Sequence, residues 1–407
     1  MYFTVVRKEA NILLIHPKLS TIYGLVVFTF LSVCAESQVR YRVVKLPSVL
    51  SSGDGLYLAD INDQSGLVGV REVLNTPTQA FLLTKGTGIA FLPSLGGSCS
   101  SAMALNEMNH VVGNACLPGD EIEHAVLWQG KTAVDLDTFG GVASDAYGIN
   151  NLDDTAGSFV LPDGSLHGFF WRQGIWTDVG TLGGSRTYAE DVNDSDAVTG
   201  GSDISNDAQP PFKIPPFHGF VWKAGVMTDF GSLFGSDFNY GSRIDSAGRV
   251  VGSSDLAGDT AAHGFVWDQG KIVQDLAPLP DNQIAWAFAM NSSGSIVGSS
   301  GLYDGGNLPP AYEMLCPCYA VLWEHGQAVR LNDVLPPGWT MDLAANINDR
   351  GEIIGTGMHE GDYREQNILL EPIRERNAPI EALSSKPYSG PTRIFRDRKG
   401  KLRLARR

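Results

Sequence analysis

The chain has 407 residues, 43% of them hydrophobic and 18% charged, with a formal net charge of −15. The charge is uneven: residues 36–372 hold 16 Lys+Arg against 41 Asp+Glu, while 373–407 hold 11 against 3. An acidic body of net −25 repels nucleic acid and anionic lipid, which excludes a nucleic-acid partner.

The front reads as an export signal. Arg7, Lys8 and Lys18 precede an uncharged stretch, 19–35, with its apolar core at 25–31 and small residues up to Ala35. A basic region, a short apolar region and a small-residue site define a secretory signal peptide, expected here over 1–35. Two alternatives stand beside it: an uncleaved anchor, because the stretch nears the length of a span, and a lipoprotein site at Cys34, which Val33 disfavours. The mature chain is expected to be soluble, secreted to the periplasm or beyond, and monomeric.

Next comes a lone strand-like segment, 41–46, and then a repeat. A small apolar residue, Asn, a few polar residues and an apolar pair ending in Gly recur seven times. The Asn is Asn62, Asn106, Asn150, Asn193, Asn291 and Asn348, with Asp245 in the fifth copy; the closing glycines run from Gly69 to Gly355 at spacings of 44, 44, 43, 52, 46 and 57. The phrase suits a hairpin tip, where Asn and Gly tolerate positive φ. Each copy continues into an apolar strand ending in an aromatic, typically a His-to-Trp run: His124 to Trp128, His167 to Trp171, His218 to Trp222 and His263 to Trp267, with Trp323 closing a variant that begins at Tyr319. A Gly turn and a strand running into Asp follow.

Four short strands in ~44 residues is the size of a propeller blade. The fold expected is all-β: a β-propeller of seven four-stranded blades over 36–372. The spare strand at 41–46 matches the strand missing after the seventh phrase, beside 368–370, so the termini should close the ring and remove two sheet edges.

The Asn-to-Gly phrase, the His-to-Trp strand and the stretches 178–184 and 135–141 together resemble the extracellular repeat family named after its His-Ala-Phe triplet (HAF), found in secreted bacterial proteins. The resemblance covers roughly 41–372, although no copy spells the triplet. It implies a secreted propeller-like repeat, and it carries no catalytic residue across.

The midpoint of Cys99 and Cys116 coincides with that of Asn106 and Asn109, so a turn there sets the two cysteines face to face, within disulfide range. Cys316 and Cys318 are left as a loop feature of open redox state. The recurrent His and Trp residues are read as structural, the histidines bonding neighbouring loops and the tryptophans packing between blades. The Asp-rich turns 151–154 and 193–196 read either as turn chemistry or as calcium loops of incomplete ligand spacing. No metal or other cofactor is otherwise indicated.

Function is sought in the two insertions, because the repeat itself needs only to fold. One spans 203–217 and carries Pro210, Phe212 and Phe217. The other spans 301–318 and carries Tyr303, Asp304, Tyr312 and Glu313. Pro-stiffened loops with aromatics suit recognition of an extracellular glycan or peptide. The alternatives are a hydrolase using paired channel carboxylates and a purely structural envelope protein. The basic tail, 373–407, is expected to be disordered, either attaching to an anionic surface or extending into solvent.

Overall fold

A computed structural model describes residues 40–44, 46, 56–73, 75–207, 214–303, 310, 315–373, 393–396 and 402–405. The expected signal peptide lies outside these residues, as do Pro210, Phe212, Asp304, Tyr312 and Glu313. No described helix is long and apolar enough to cross a membrane.

The protein is all-β, a β-propeller. Among the described residues, the strands up to Pro372 form five four-stranded antiparallel sheets and one sheet of eight, in which two antiparallel groups of four are joined by the parallel bridge Ala262↔Ile284. Units 1–6 occupy 56–91, 100–135, 143–180, 187–229, 239–276 and 284–330, each with its strands paired in chain order. Unit 7 takes three strands from 339–372 and its fourth from the front of the chain. There Tyr41–Val44 pairs antiparallel with Asp362–Pro372, in the register Val43↔Leu370 and Val44↔Leu369. The spare first strand thus completes the last unit, as its sequence suggests.

Packing follows the same order. The third strand of a unit, such as Glu123–Gln129, is buried along Ala125 to Trp128 on both faces and therefore reads as a continuous apolar run. The fourth, such as Thr132–Asp135, is largely exposed. Apolar clusters join consecutive units, with Trp128 beside Val68 and Ala80, and Trp222 beside Ala156 and Phe170. The circle closes where Ile354 and Leu369 of unit 7 meet Leu58 and Phe81 of unit 1.

The recurrent Asn does two jobs at once. Its Oδ1 accepts two N–H groups of its own turn, as Asn62 does from Gln64 and Gly66. Its Nδ2 donates to the backbone carbonyl of the same Asn one unit on: Asn62 to Asn106, Asn106 to Asn150, Asn150 to Asn193 and Asn193 to Asp245. Asn291 donates to Asn348 and Asn348 back to Asn62, at 2.9 Å, closing the circle. Asp245 cannot donate; its carboxylate accepts from Ala247, Arg249 N–H and Arg249 Nε instead.

Positive φ is not why the phrase keeps its Asn and its closing Gly. The residue three places after the Asn adopts it, as at Ser65, Asn109, Asp153 and Gly248. The closing glycines serve close approach. A Cβ on Gly69 would lie 1.9 Å from the Tyr57 carbonyl oxygen, and one on Gly298 would lie 1.8 Å from that of Trp286. Each faces a bulge in the unit's first strand, such as those between Leu58 and Asp60 and between Ala287 and Ala289.

Cys99 and Cys116 form a disulfide with Cα atoms 5.2 Å apart, beside the bond from Cys116 N–H to the Cys99 carbonyl. Cys318 is disulfide-bonded as well. In the tail, Arg393–Arg396 and Leu402–Ala405 pair with each other and with no strand of the seven units.

Candidate functional site

In units 4, 5 and 6 the residue at the bulge of the first strand, Glu190, Ser242 or Phe288, lines one of two adjoining spaces. Units 4, 5 and 6 place aromatic residues on these strands: Tyr188 on Thr187–Val192, Tyr240 on Asn239–Ile244, and Trp286 with Phe288 on Ile284–Met290. With Arg186, Glu190, Gly201, Ile214, Pro215 and Phe217 they line one cavity of about 540 Å³. This is within the size range of small-ligand sites. A second space, of about 340 Å³, continues it past Glu190, Tyr240 and Phe288 to Ser242 and Arg243.

The first insertion reaches this cavity, and the second packs behind its wall. From the first, Ile214, Pro215 and Phe217 form part of its wall. Gly201 makes the room for Phe217, since a Cβ there would lie 2.1 Å from its ring. The Tyr188 and Phe217 rings stand 6.2 Å apart. From the second insertion, the Pro310 carbonyl accepts a bond from Trp286 Nε1 at 3.2 Å, and Tyr303 packs beside Tyr240 and Trp286 against Ala262 and Ile284. Of the candidate loop residues, Phe217 therefore lines the cavity and Tyr303 backs its wall.

Below the aromatic walls lies a charged group. Arg243 interacts with Asp191, Asp60 and Glu190, which come from units 4, 1 and 4. Burial pushes the Asp60 carboxyl up to about 6, although Arg243 and the N–H groups of Leu105 and Ile61 oppose the shift. Burial also raises Asp191 and Glu190 against the pull of Arg243. Two of these carboxylates link units: Asp60 accepts Leu105 N–H and the Asn346 amide, and Asp191 accepts Ile244 N–H. Among the described lining residues of the cavity, Glu190 is the one acid. At the rim, Arg186 makes a two-point pair with the buried Asp203, at 2.8 and 2.9 Å.

The recurrent histidines stand on separate sheets. Each bonds an Asp at or near the end of the fourth strand of its own unit: His124 with Asp135, His167 with Asp178, His218 with Asp229 and His263 with Asp275, at 2.7–2.9 Å. The short bond is thus to a carboxylate of the same unit, where a neighbouring loop was expected; His218 Nε2 also lies 3.6 Å from Asp237 of the following loop. Burial works against ionisation of Asp229, yet the bonds from His218 and Gly231 N–H hold its carboxyl below the ordinary range. Trp128, Trp171, Trp222, Trp267 and Trp323 are all buried and offer no platform to a ligand.

The Asp-rich turns spend their oxygens on neighbours. Asp154 and Asp196 both pair with Arg172, and Asp194 accepts Asn151 N–H. Among the described residues, one group has metal-ligand spacing, Cys99, Cys116 and Glu123. Two of its members are joined in the disulfide, so it offers no thiolate.

Sequence reasoning missed Tyr188, Glu190, Tyr240, Trp286 and Phe288. The available signal was the alternation of Trp286 and Phe288 with alanines in the first strand of unit 6, where the matching places of unit 2 hold Ser101 and Met103.

No protein-family model and no curated protein matches the chain. Among solved structures, it is similar to a putative TolB from Agrobacterium tumefaciens (11% identity, TM-score 0.39, covering 55% of this chain and 80% of that one). It is also similar to an acylaminoacyl peptidase from Pyrococcus horikoshii (10%, 0.46, covering 87% and 57%). An Aleuria aurantia lectin is a third (14%, 0.35, covering 77% and 91%). No ligand or reaction follows from likenesses of this size.

Proposed function

We propose that the chain is a secreted, non-catalytic binding propeller of the HAF-repeat kind, and that its ligand is a peptide segment seated in the aromatic cavity of units 4–6. One observation carries the reading: the first insertion and three bulged first strands converge on a single cavity, and the second insertion packs behind its Trp286 wall. An insertion tolerated without use has no reason to supply cavity walls.

The chemistry of the walls chooses among ligands. A saccharide presents hydroxyls on every edge and needs several hydrogen-bonding side chains around it. Here the walls are mainly aromatic and aliphatic, the Arg186 guanidinium is held by Asp203, and the Tyr240 hydroxyl is bonded to Ser253 and Ser242. A hydrolase of glycosides needs two carboxylates flanking the substrate. Asp60 and Asp191 hold units together, which leaves Glu190 without an acidic partner in the wall.

Peptide and glycan arrays probed with the purified protein test the proposal, with Trp286→Leu as the control. Peptide hits that disappear in Trp286→Leu support it. Hits confined to glycans, or hits indifferent to that substitution, overturn it.

A further inference from the structure

The cavity pairs a set of aromatic faces with an excess of negative charge. Tyr188, Phe217, Tyr240, Trp286 and Phe288 come from four different strands and surround the space above Glu190. Glu190 is the one acid of the lining, and it shares the Arg243 guanidinium with Asp60 and Asp191, which lie outside the lining. With all four ionised, this group carries a net charge of −2. Arg186 at the rim does not offset it, because the buried Asp203 already neutralises that guanidinium. The acidic body adds a field of the same sign.

A wall of this kind discriminates by charge as well as by size. Aromatic faces carry negative quadrupole potential and attract a cation that gives up its water; a soft, alkylated ammonium gives it up most cheaply. A neutral apolar group of the same shape gains burial alone. An anion meets both the aromatic faces and the carboxylates unfavourably. Hydration opposes the entry of a small hard cation, for which the walls offer few oxygen ligands.

We propose that this cavity selects an alkylammonium group, with the aromatic residues forming a cage and Glu190 supplying the counter-charge. The proposal rests on the reading of the cavity as a ligand site and adds the chemistry of the group it takes. A lysine or methylated lysine side chain of a peptide carries such a group, and so does a free quaternary amine.

The test uses an isosteric pair: choline, and 3,3-dimethylbutan-1-ol, in which carbon replaces the charged nitrogen. Calorimetric titration of the purified, disulfide-intact protein should show choline binding at least about tenfold more tightly than the alcohol. Glu190→Gln keeps the shape and removes the charge; it should weaken choline about tenfold and leave the alcohol unchanged. Trp286→Leu should weaken both. Far-ultraviolet circular dichroism and retention of the Cys99–Cys116 bond establish that each variant is folded, and Glu190→Asp, which restores the charge, should recover part of the loss. Equal affinity for the two probes, or choline binding untouched by Glu190→Gln, overturns charge selection while leaving the cavity a ligand site. Failure of both probes, together with failure of lysine and norleucine peptides, overturns the site itself. A lysine peptide that binds where choline does not assigns the group to a peptide.

Discussion

Single side chains here carry obligations in two directions, and the channel carboxylates show what that costs. Asp60 holds Leu105 N–H of the next unit and the Asn346 amide of the previous one, yet it does so where burial pushes its carboxyl from 3.8 to about 6. The consequence for stability has a definite sign. Between about pH 4 and 6 the folded chain keeps a proton on Asp60 that the unfolded chain has released, so stability falls as pH rises through that window. The penalty is fully present above pH 6 and is relieved as pH falls towards 4. Glu190 and Asp191 are shifted the same way, whereas Asp229 is shifted the other way. Urea unfolding at pH 4.5, 5.5 and 7 should therefore show a steeper loss with rising pH in the native chain than in Asp60→Asn. The comparison concerns slope, so a variant less stable throughout is still informative, and equal slopes would refute the assignment.

Between elements, the hairpin tips are the joints that the repeat preserves. Each Asn satisfies its own turn and reaches one unit forward, and a buried carbonyl left without its donor costs about 1 kcal/mol or more. Asn62→Asp keeps the acceptor that orders the turn and removes the donor to Asn106, so it should destabilise the fold by about 1–2 kcal/mol. The reverse change, Asp245→Asn, gives the fifth tip a donor but gives up the pair with Arg249, which is partly exposed and worth about 0–1 kcal/mol. Its net effect should stay within about 1 kcal/mol. Thermal unfolding of the two variants checks the contrast, and a loss of equal size in both would show that the forward bond carries nothing. The same joints explain what could be read in the sequence. Asn, closing Gly, His and Trp recur because every unit needs the same turn, the same close approach beside a bulge and the same packing. Cys99 and Cys116 were legible through the symmetry of one hairpin. Tyr188, Glu190, Tyr240, Trp286 and Phe288 occupy first-strand places whose residue types differ from unit to unit, and whether they meet depends on the angle at which successive strands face the channel. No spacing along the chain encodes that angle. The two insertions drew notice by their length, but that they end beside the same wall follows only from the order of units around the ring.

At the scale of the molecule, the ring is held by a strand borrowed from the far end of the chain. Tyr41–Val44 covers the outer edge of unit 7, with Arg42 paired to Glu371, and Ile373 N–H bonded to the Arg40 carbonyl at 2.7 Å. Tyr41 also enters the core shared by units 6 and 7, and Leu46 that shared by units 7 and 1. Removing 38–49 takes away a ladder, two buried anchors and the cover of the strand Asp362–Pro372, whose exposed edge is a template for pairing with another chain. Removing 373–407 takes away a separate hairpin and one backbone bond. The two truncations should therefore part company: the first lowers the unfolding midpoint and forms aggregates, while the second leaves the midpoint within a few degrees of the native value. Light scattering during thermal unfolding distinguishes them. A chain that keeps its midpoint without 38–49 but aggregates without 373–407 would mean that the borrowed strand is an ornament and that the tail, not the front, secures unit 7.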